Sequence, residues 1–186
     1  MNEHRSRAPS AWIRRFAPLV PPGAQVLDVA AGYGRHARLL AAQGARVHAV
    51  DVDADALATL EGVSGVSTQV ADLEGGAWPF ADATFDAIVV VHYLHRPAFA
   101  QLLRMLRPGG VLLYETFATG NEAFGRPSNP AFLLCENELF DLVRERMSVI
   151  AFEQGRIGGD RIAVVQRIAA IGRARGWPPP LPAHAG

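Results

Sequence analysis

The stretch Val26-Leu27-Asp28-Val29-Ala30-Ala31-Gly32-Tyr33-Gly34 decides the fold, because an apolar run passes directly into a glycine loop. Residues 25–29 are typical of a short buried strand, and residues 32–43 of a turn followed by a helix, with Gly44 as its stop signal. Glycine at positions 32 and 34 lets the backbone approach a ligand closely. The first turn of the following helix offers free N–H groups. The stretch therefore predicts a ligand-binding loop at the end of a first strand.

Strands and helices alternate outward from this loop until the last two strands, which form a predicted hairpin. Ser10 is a plausible N-cap for a short first helix, Asp53 caps a third, and Pro97 suits the first turn of a fourth. Strands are predicted at 25–29, 46–52, 66–70, 85–91, 111–117, 149–154 and 161–168, and helices at 10–17, 32–43, 54–60, 97–106 and 136–146.

This alternation predicts an α/β fold with a doubly wound, seven-stranded and mostly parallel sheet that ends in an antiparallel closing strand. We expect a single domain over residues 1–176, which includes the N-terminal helix at about 10–17. Residues 177–186 are rich in proline and are expected to be extended or disordered.

The composition narrows the classes of function. Eighteen basic residues, all arginine, balance eighteen acidic ones, which argues against a large nucleic-acid surface. Without lysine, the chain has no residue for a Schiff base or a Walker-type phosphate site. The single cysteine, Cys135, fits a reducing compartment, and no apolar run is long enough to span a bilayer. We expect a cytoplasmic monomer or homodimer that binds no metal, since the histidines lack metal-ligand spacing.

The loop alone does not identify its ligand. Many turns between a strand and a helix contain glycine without binding anything. Residues 32–37 also fit the dinucleotide pattern G-x-G-x-x-G/A, and Asp51 follows at roughly the right distance for a ribose. A nicotinamide cofactor and a different nucleoside cofactor are both open at this point.

Three acidic residues at the ends of three successive strands indicate which of these two cofactors the loop binds. Asp28 ends the first strand, where a dinucleotide fold normally has an apolar residue, and its burial needs a partner such as a ligand ammonium. Asp51 ends the second strand, where its carboxylate can accept from two ribose hydroxyls. Asp72 ends the third, within reach of an adenine amino group.

These motifs together resemble the class I S-adenosylmethionine-dependent methyltransferases, which have a Rossmann-like fold. Residues 26–34 match the first family motif, except that Ala30 replaces its first glycine, a change that is tolerable if residue 30 keeps a negative φ. Further matches are the second motif at 49–53, the third at 71–73, the fourth strand at 85–91 and the turn before the fifth strand at 106–112.

The resemblance implies S-adenosylmethionine as the cofactor and assigns residues to it. Asp28 is placed near the methionine amino group, and Asp51 on the ribose. The predicted cofactor-binding residues are Asp28, Ala30, Gly32, Gly34, Asp51, Val52, Asp72, Leu73 and His92. Val52 is expected to pack on the adenine, with Asp72 and Leu73 at its edge. The function implied is methyl transfer to a small-molecule acceptor by in-line displacement.

The acceptor is expected over the ends of the fourth and fifth strands. His92 and Tyr93 are the predicted catalytic residues, and His95, Arg96, Glu115 and Arg126 the predicted substrate-binding residues. Structural roles are open for several of them: His95 and Arg96 as decoration of the next helix, Tyr93 as a packing residue, and Arg126 as a loop anchor. Residues 115–117, 125–130, 132–134 and 138–139 resemble the small tellurite-resistance-type methyltransferases.

Two other functions and one further role stay open. A nicotinamide-dependent oxidoreductase is the rival enzyme, and Asp28, Asp72 and the turn at 107–110 argue against it. A non-catalytic module would bind S-adenosylmethionine without turnover. Trp12 is a candidate to let the N-terminal helix fold over the cofactor as a lid.

Replacing Asp51 by alanine tests the cofactor assignment. A hydrogen bond to a charged group is worth roughly 1.5–3 kcal/mol. Asp51→Ala should therefore weaken binding of S-adenosylhomocysteine by about ten- to a hundredfold. Calorimetry measures the effect, and unchanged affinity in a folded variant contradicts the assignment.

Overall fold

The computed structural model describes residues 8–75, 78–158 and 162–182. Its seven strands form one sheet in the order β3-β2-β1-β4-β5-β7-β6, in which β7 runs antiparallel to both of its neighbours. The predicted doubly wound sheet with an antiparallel closing strand is confirmed. The strands are β1 (Gln25–Val29), β2 (Arg46–Asp51), β3 (Val66–Val70), β4 (Phe85–Val91), β5 (Leu106–Phe117), β6 (Met147–Ile157) and β7 (Ala163–Gly172).

The five α-helices within the described ranges are shorter than predicted but lie in the expected order. Gly34 is the left-handed N-cap of the second helix, with φ +69°, so residues 32–34 form the turn that opens the predicted segment 32–43 and the helix begins at Arg35. The fourth helix stops one residue early, because Leu106 already pairs with Phe85 in the sheet. The helices are α1 (Ala11–Phe16), α2 (Arg35–Ala42), α3 (Ala54–Ala58), α4 (Phe99–Met105) and α5 (Glu138–Val143).

The predicted turn at 107–110 is a break in register within β5 rather than a loop before it. Leu106 pairs with Phe85, and the next pair along the two strands is Val111 with Ala87. Gly109 supplies the positive φ of +79° that this bulge needs.

Alternation along the central strands builds two apolar cores, one on each face of the sheet. The first is closed by α1, α2 and α3 and the second by α4 and α5. Strand residues on the first face include Val26, Val47, Ala87, Val89 and Val111, and those on the second include Leu27, Val29, Ile88, Val90 and Leu112.

Trp12 belongs to the first core. Its side chain is 2% exposed, and its indole Nε1 donates a hydrogen bond of 3.2 Å to the carbonyl of Ile168 on β7. Its ring also packs against Phe16, with 4.5 Å between ring centroids. The indole therefore anchors α1 to the sheet, and the suggestion that Trp12 lets the N-terminal helix fold over the cofactor as a lid stays a prediction.

The chain ends are described only in part. Residues 177–182 form no helix or strand, and Trp177 is 71% exposed. The predictions for residues 1–7 and 183–186 lie outside the described residues, as does part of the turn between β6 and β7. Within the described ranges, no helix is long and apolar enough to cross a membrane.

Trp12 and Trp177 form a matched pair for testing the role of the first helix. Trp12→Ala removes a buried indole and should lower the free energy of unfolding by about 3–5 kcal/mol. Trp177→Ala removes an exposed one and should change it by less than about 0.5 kcal/mol. Urea unfolding compares them, and equal stabilities of the two variants contradict the core assignment.

Candidate functional site

The predicted cofactor residues meet where the strand order reverses, between β1 and β4. The neighbouring strands extend from β1 through β2 on one side and from β4 through β5 on the other. Val29 pairs with both Val50 and Val90, so the loops that follow these three parallel strands open at one edge of the sheet. Such a switch point forms a crevice at the carboxyl ends of the strands, which is where α/β proteins bind ligands.

A positive φ at Ala30 and two hydrogen bonds to β2 determine the shape of the glycine loop. Ala30 has φ +53°, so the condition that it keep a negative φ is not met. A non-glycine residue in this region costs about 1–2 kcal/mol. Two hydrogen bonds hold the strained loop to β2, from the Ala31 N–H to the Val50 carbonyl at 3.0 Å and from the Gly32 N–H to Asp51 Oδ2 at 2.7 Å.

The two glycines of the loop serve different purposes. A Cβ on Gly32 would meet no described atom within 4 Å, so this position borders open space that a ligand can enter. A Cβ on Gly34 would clash with the Leu60 side chain, and φ is +69° there. Gly34 is thus needed for the packing of α2 against Leu60, whereas Gly32 has the open surroundings of a ligand-contacting position.

Asp28 is the most unusual charge at the site. It is 1% exposed, and its Oδ2 has no hydrogen-bond partner among the described residues. Burial raises the pKa of this carboxyl from 3.8 to about 7, although the Ala37 N–H and the Arg35 charge oppose the shift. A buried polar atom without a partner is costly, so this oxygen is suited to a ligand that brings its own donor.

Asp51 and Val52 lie beside this carboxyl at the end of β2. Both oxygens of Asp51 accept backbone hydrogen bonds, from Gly32 at 2.7 Å and from Asp53 at 2.9 Å. The carboxylate remains partly exposed, with lone pairs left for a ligand. Val52 is 70% exposed, so its apolar side chain is available for contact with a ligand.

Asp72 and Leu73 follow β3. The Asp72 Oδ1 accepts from the Glu74 N–H at 2.8 Å, which fixes the turn. Leu73 is buried, and its carbonyl accepts from the indole of Trp78 at 2.8 Å. The Leu73 carbonyl is therefore engaged with Trp78, and the carboxylate of the exposed Asp72 is the more available group.

His92 extends from the end of β4 in a strained conformation. Its φ is +59°, which is uncommon for a residue with a side chain, and its N–H donates to the Glu115 carbonyl at 2.9 Å. The imidazole is exposed and stacks on Phe117, with 4.7 Å between centroids and 25° between planes. Strain of this kind is often found where a side chain must point into a functional site.

The Tyr93 side chain is partly buried and packs against the second core. Its hydroxyl is buried and has no hydrogen-bond partner among the described residues, and burial raises its pKa, as do the charges of Glu74 and Asp72. The Tyr93 carbonyl accepts from the Tyr114 hydroxyl at 2.9 Å. A neutral phenol here can donate a hydrogen bond but is poorly suited to act as a base.

The contacts of Arg96 argue against its predicted role as a substrate-binding residue. Its guanidinium donates to both carboxylate oxygens of Glu138, at 2.6 and 2.9 Å, and to the carbonyls of Ala131 and Leu133. These bonds tie the loop before α5 to the end of β4. Arg96 is an anchor whose three guanidinium nitrogens are all engaged.

The other predicted acceptor residues differ in their surroundings. His95 Nδ1 lies 4.0 Å from Glu74 Oε2, and Arg126 is exposed on the loop after β5. Glu115 is 6% exposed, and both its carboxylate oxygens accept from the Ser10 hydroxyl, at 3.1 and 3.0 Å. Of the group, His95 and Arg126 keep groups that a ligand can reach, while Glu115 is bound to the first helix.

Ser10, Arg35 and His36 also reach this region, although little in the sequence marks them as site residues. The Ser10 N–H donates to His36 Nε2 at 3.2 Å, and Arg35 donates to the Ala8 carbonyl at 3.1 Å. Ser10 is recognisable only as a helix cap, and the position of His36 directly after the glycine loop is the one signal of its importance. No group of three or more potential metal ligands occurs among the described residues.

Comparison with known proteins places this site in a family. Residues 26–110 match the model of a family described as a methyltransferase domain. The chain is 31% identical over 170 residues to a demethylmenaquinone methyltransferase of Mycobacterium sp. strain KMS, covering 82% of this chain and 69% of that protein. It is 33% identical over 117 residues to the ubiquinone/menaquinone biosynthesis C-methyltransferase UbiE of Rubrivivax gelatinosus, covering 58% of this chain.

The chain spans about half, 46%, of the length of that second relative. Among solved structures, TehB from Haemophilus influenzae superposes with a TM-score of 0.76 at 18% identity, covering 92% of this chain and 65% of that chain. At this identity the likeness concerns the fold, and it agrees with the strand order described above.

Titration of Asp28 should make the stability of the native protein depend on pH, and Asp28→Asn should remove that dependence. Between about pH 4 and 7 the native protein holds a proton on Asp28 that the unfolded chain has released, so rising pH lowers stability across that window. The slope is at most about 1.4 kcal/mol per pH unit. The Tm of Asp28→Asn minus that of the parent should therefore grow from pH 4 to 7 and then level off. Parallel Tm curves would contradict the shifted pKa.

Proposed function

This chain belongs to the family of S-adenosylmethionine-dependent methyltransferases, and we propose that it transfers the cofactor's methyl group to a small-molecule acceptor by in-line displacement. One observation carries the proposal: the unpartnered Asp28 oxygen lies directly before the strained loop in which Gly32 borders open space. A ligand with a cationic amino group satisfies this oxygen, whereas a dinucleotide phosphate would repel the ionised carboxylate.

The residues at the strand ends fit S-adenosylmethionine, which supplies an activated methyl group on a sulfonium. Asp28 would receive the methionine ammonium, and the gap beside Gly32 gives room for the chain that joins it to the ribose. The partly exposed Asp51 carboxylate would accept from the ribose hydroxyls. Val52, 70% exposed, would lie under the adenine, and the carboxylate of Asp72 would accept from its amino group.

These residues contribute chiefly by binding and alignment. A sulfonium methyl is already a strong electrophile, so holding the acceptor in line with it and excluding water supply most of the acceleration. His92 is the proposed group that takes a proton from the acceptor, because its imidazole is exposed at the end of β4, next to the crevice. Tyr93 is proposed to orient a ligand through its buried hydroxyl, and His95 and Arg126 to contact the acceptor.

A small-molecule acceptor agrees with the zero formal net charge and with the relatives. Two of these relatives are named for quinone methylation, so a demethylated naphthoquinol is a sensible acceptor to include in a screen. A cytoplasmic location and a monomeric or homodimeric state remain predictions from the sequence.

The test is transfer of a labelled methyl group from S-adenosylmethionine to a panel of oxyanions, thiols, amines, small carboxylic acids and a demethylated naphthoquinol. We expect label in one class of acceptor and S-adenosylhomocysteine as co-product. Tight binding of S-adenosylhomocysteine with no turnover on any class would favour the non-catalytic module instead. Stabilisation by NAD alone in a thermal shift assay would favour the oxidoreductase.

If His92 takes the acceptor proton, its loss should change how the rate depends on pH. An unperturbed histidine titrates near neutrality, so the parent rate should rise with pH in that range, and His92→Ala should flatten the profile. His48→Ala is the control, because His48 lies on β2 and bonds Ser67 and Gln69 on β3. A profile that is unaltered in His92→Ala would exclude the proposed proton transfer.

A further inference from the structure

Ser10 joins the start of the chain to two elements of the cofactor site. Its hydroxyl donates to the buried carboxylate of Glu115 at the end of β5, and its N–H donates to His36 in the first turn of α2. The same hydroxyl oxygen accepts from the N–H groups of Trp12 and Ile13, which caps α1. Ser10 thus connects the start of α1 both to β5 and to α2. We call residues 8–16 the N-terminal strap.

Glu115, the acceptor for the Ser10 hydroxyl, belongs to a row of three charged residues on neighbouring strands. Glu115, Arg167 and Glu153 lie opposite one another on β5, β7 and β6. Arg167 is 3.7 Å from Glu115 and donates to Glu153 at 2.9 Å, and Arg15 of the strap lies 3.6 Å from Glu153. The strap is therefore bound at both ends of this row, by Ser10 to Glu115 and by Arg15 to Glu153.

His36 and Arg35 connect the strap to the glycine loop. They are the first two residues of α2, directly after Gly34. His36 is 3% exposed, and burial lowers its pKa to about 3, as do the charges of Arg35 and His92, so Nε2 is a permanent acceptor for the Ser10 N–H. Arg35, whose charge acts on both Asp28 and Glu115, donates to the Ala8 carbonyl.

We propose that Glu115 and His36 are positioning residues for the cofactor, which act by docking the strap through Ser10 against the start of α2. This inference rests on the proposed function. With the strap docked, the first turn of α2 is held from outside, and the strained loop at residues 30–34 keeps the shape that borders the cofactor. Without it, this restraint on the first turn of α2 is lost, and the binding-competent shape of the loop is less populated.

This role differs from a simple helix cap. An N-cap needs only an oxygen that accepts from the second or third N–H of the helix, and aspartate serves as well as serine. Docking needs in addition a hydroxyl proton for Glu115. Ser10→Asp keeps the first property and loses the second, while placing a like charge beside a buried carboxylate. Ser10→Thr keeps both properties.

The experiment measures the dissociation constant of S-adenosylhomocysteine by calorimetry and hydrogen exchange of residues 30–37 in the ligand-free proteins. Ser10→Asp should raise the dissociation constant about tenfold, the effect of reducing the docked fraction from near one to about a tenth. Exchange in residues 30–37 should become faster. Ser10→Thr should stay within about twofold of the parent in both measurements.

A second pair of variants addresses His36 independently, should Ser10→Asp fail to fold. His36→Leu removes the acceptor for the Ser10 N–H, and His36→Gln keeps one, so only the former should weaken binding about tenfold and speed exchange. Arg107→Gln is the control for lost stability. It removes the 2.9 Å ion pair between Arg107 and Asp86, which lies at the opposite end of β4 from His92.

The outcomes separate this inference from the proposed function. Parent-like affinity and exchange in Ser10→Asp and His36→Leu would overturn the inference while leaving the proposed function intact. An equal loss of affinity in Arg107→Gln would also overturn it, since general destabilisation would then suffice. If the parent itself fails to bind S-adenosylhomocysteine, the proposed function fails, and the exchange rates of the ligand-free variants still report whether the strap holds residues 30–37.

Discussion

A carboxyl group buried without a partner for one of its oxygens is the constraint on which this site depends. Leaving a buried polar atom unsatisfied costs about 1–3 kcal/mol, and the ionised form of Asp28 costs more. The protein tolerates this because β1 is fixed on both sides by parallel neighbours and cannot move the side chain out. A ligand that donates a hydrogen bond to this oxygen removes the penalty. Because a cationic group also stabilises the ionised carboxylate, the site favours ligands with a cationic donor.

The strained loop after Asp28 is a consequence of the same geometry. The chain must turn sharply at the end of β1 to enter α2 without closing the space in front of the carboxyl group. Ala30 and Gly32 both adopt positive φ to do so, and Asp51 holds the turn through its bond to the Gly32 N–H. Asp51 is therefore both part of the proposed ribose site and a brace for the loop that borders it.

The sequence predicted the sheet well, because strand order in such folds follows from the alternation of elements and from a few local signals. Asp28, Asp51 and Asp72 could be placed at strand ends for the same reason. The conformation of Ala30 could not be read, because alanine gives no local sign of positive φ. The uses of Gly34 and Arg96 were also hidden, since they depend on Leu60 and Glu138, which reach these residues only in the folded chain.

Trp12 and Ser10 show how the same limitation applies to the first helix. The sequence identifies Ser10 as a cap and Trp12 as a large apolar residue, but not the partners of either. Those partners are Glu115 on β5 and the Ile168 carbonyl on β7, each more than a hundred positions along the chain.

Because β5 and β7 are neighbours, α1 packs across them and brings Ser10 to the end of β5, beside the start of α2. The first helix thus links the closing strands, which lie away from the cofactor loop, to the residues that follow the loop. Ser10 bonds Glu115, which holds α1 on the sheet, and it also bonds His36, which follows the cofactor loop. The same residue therefore contributes to the stability of the fold and to the shape of the cofactor site.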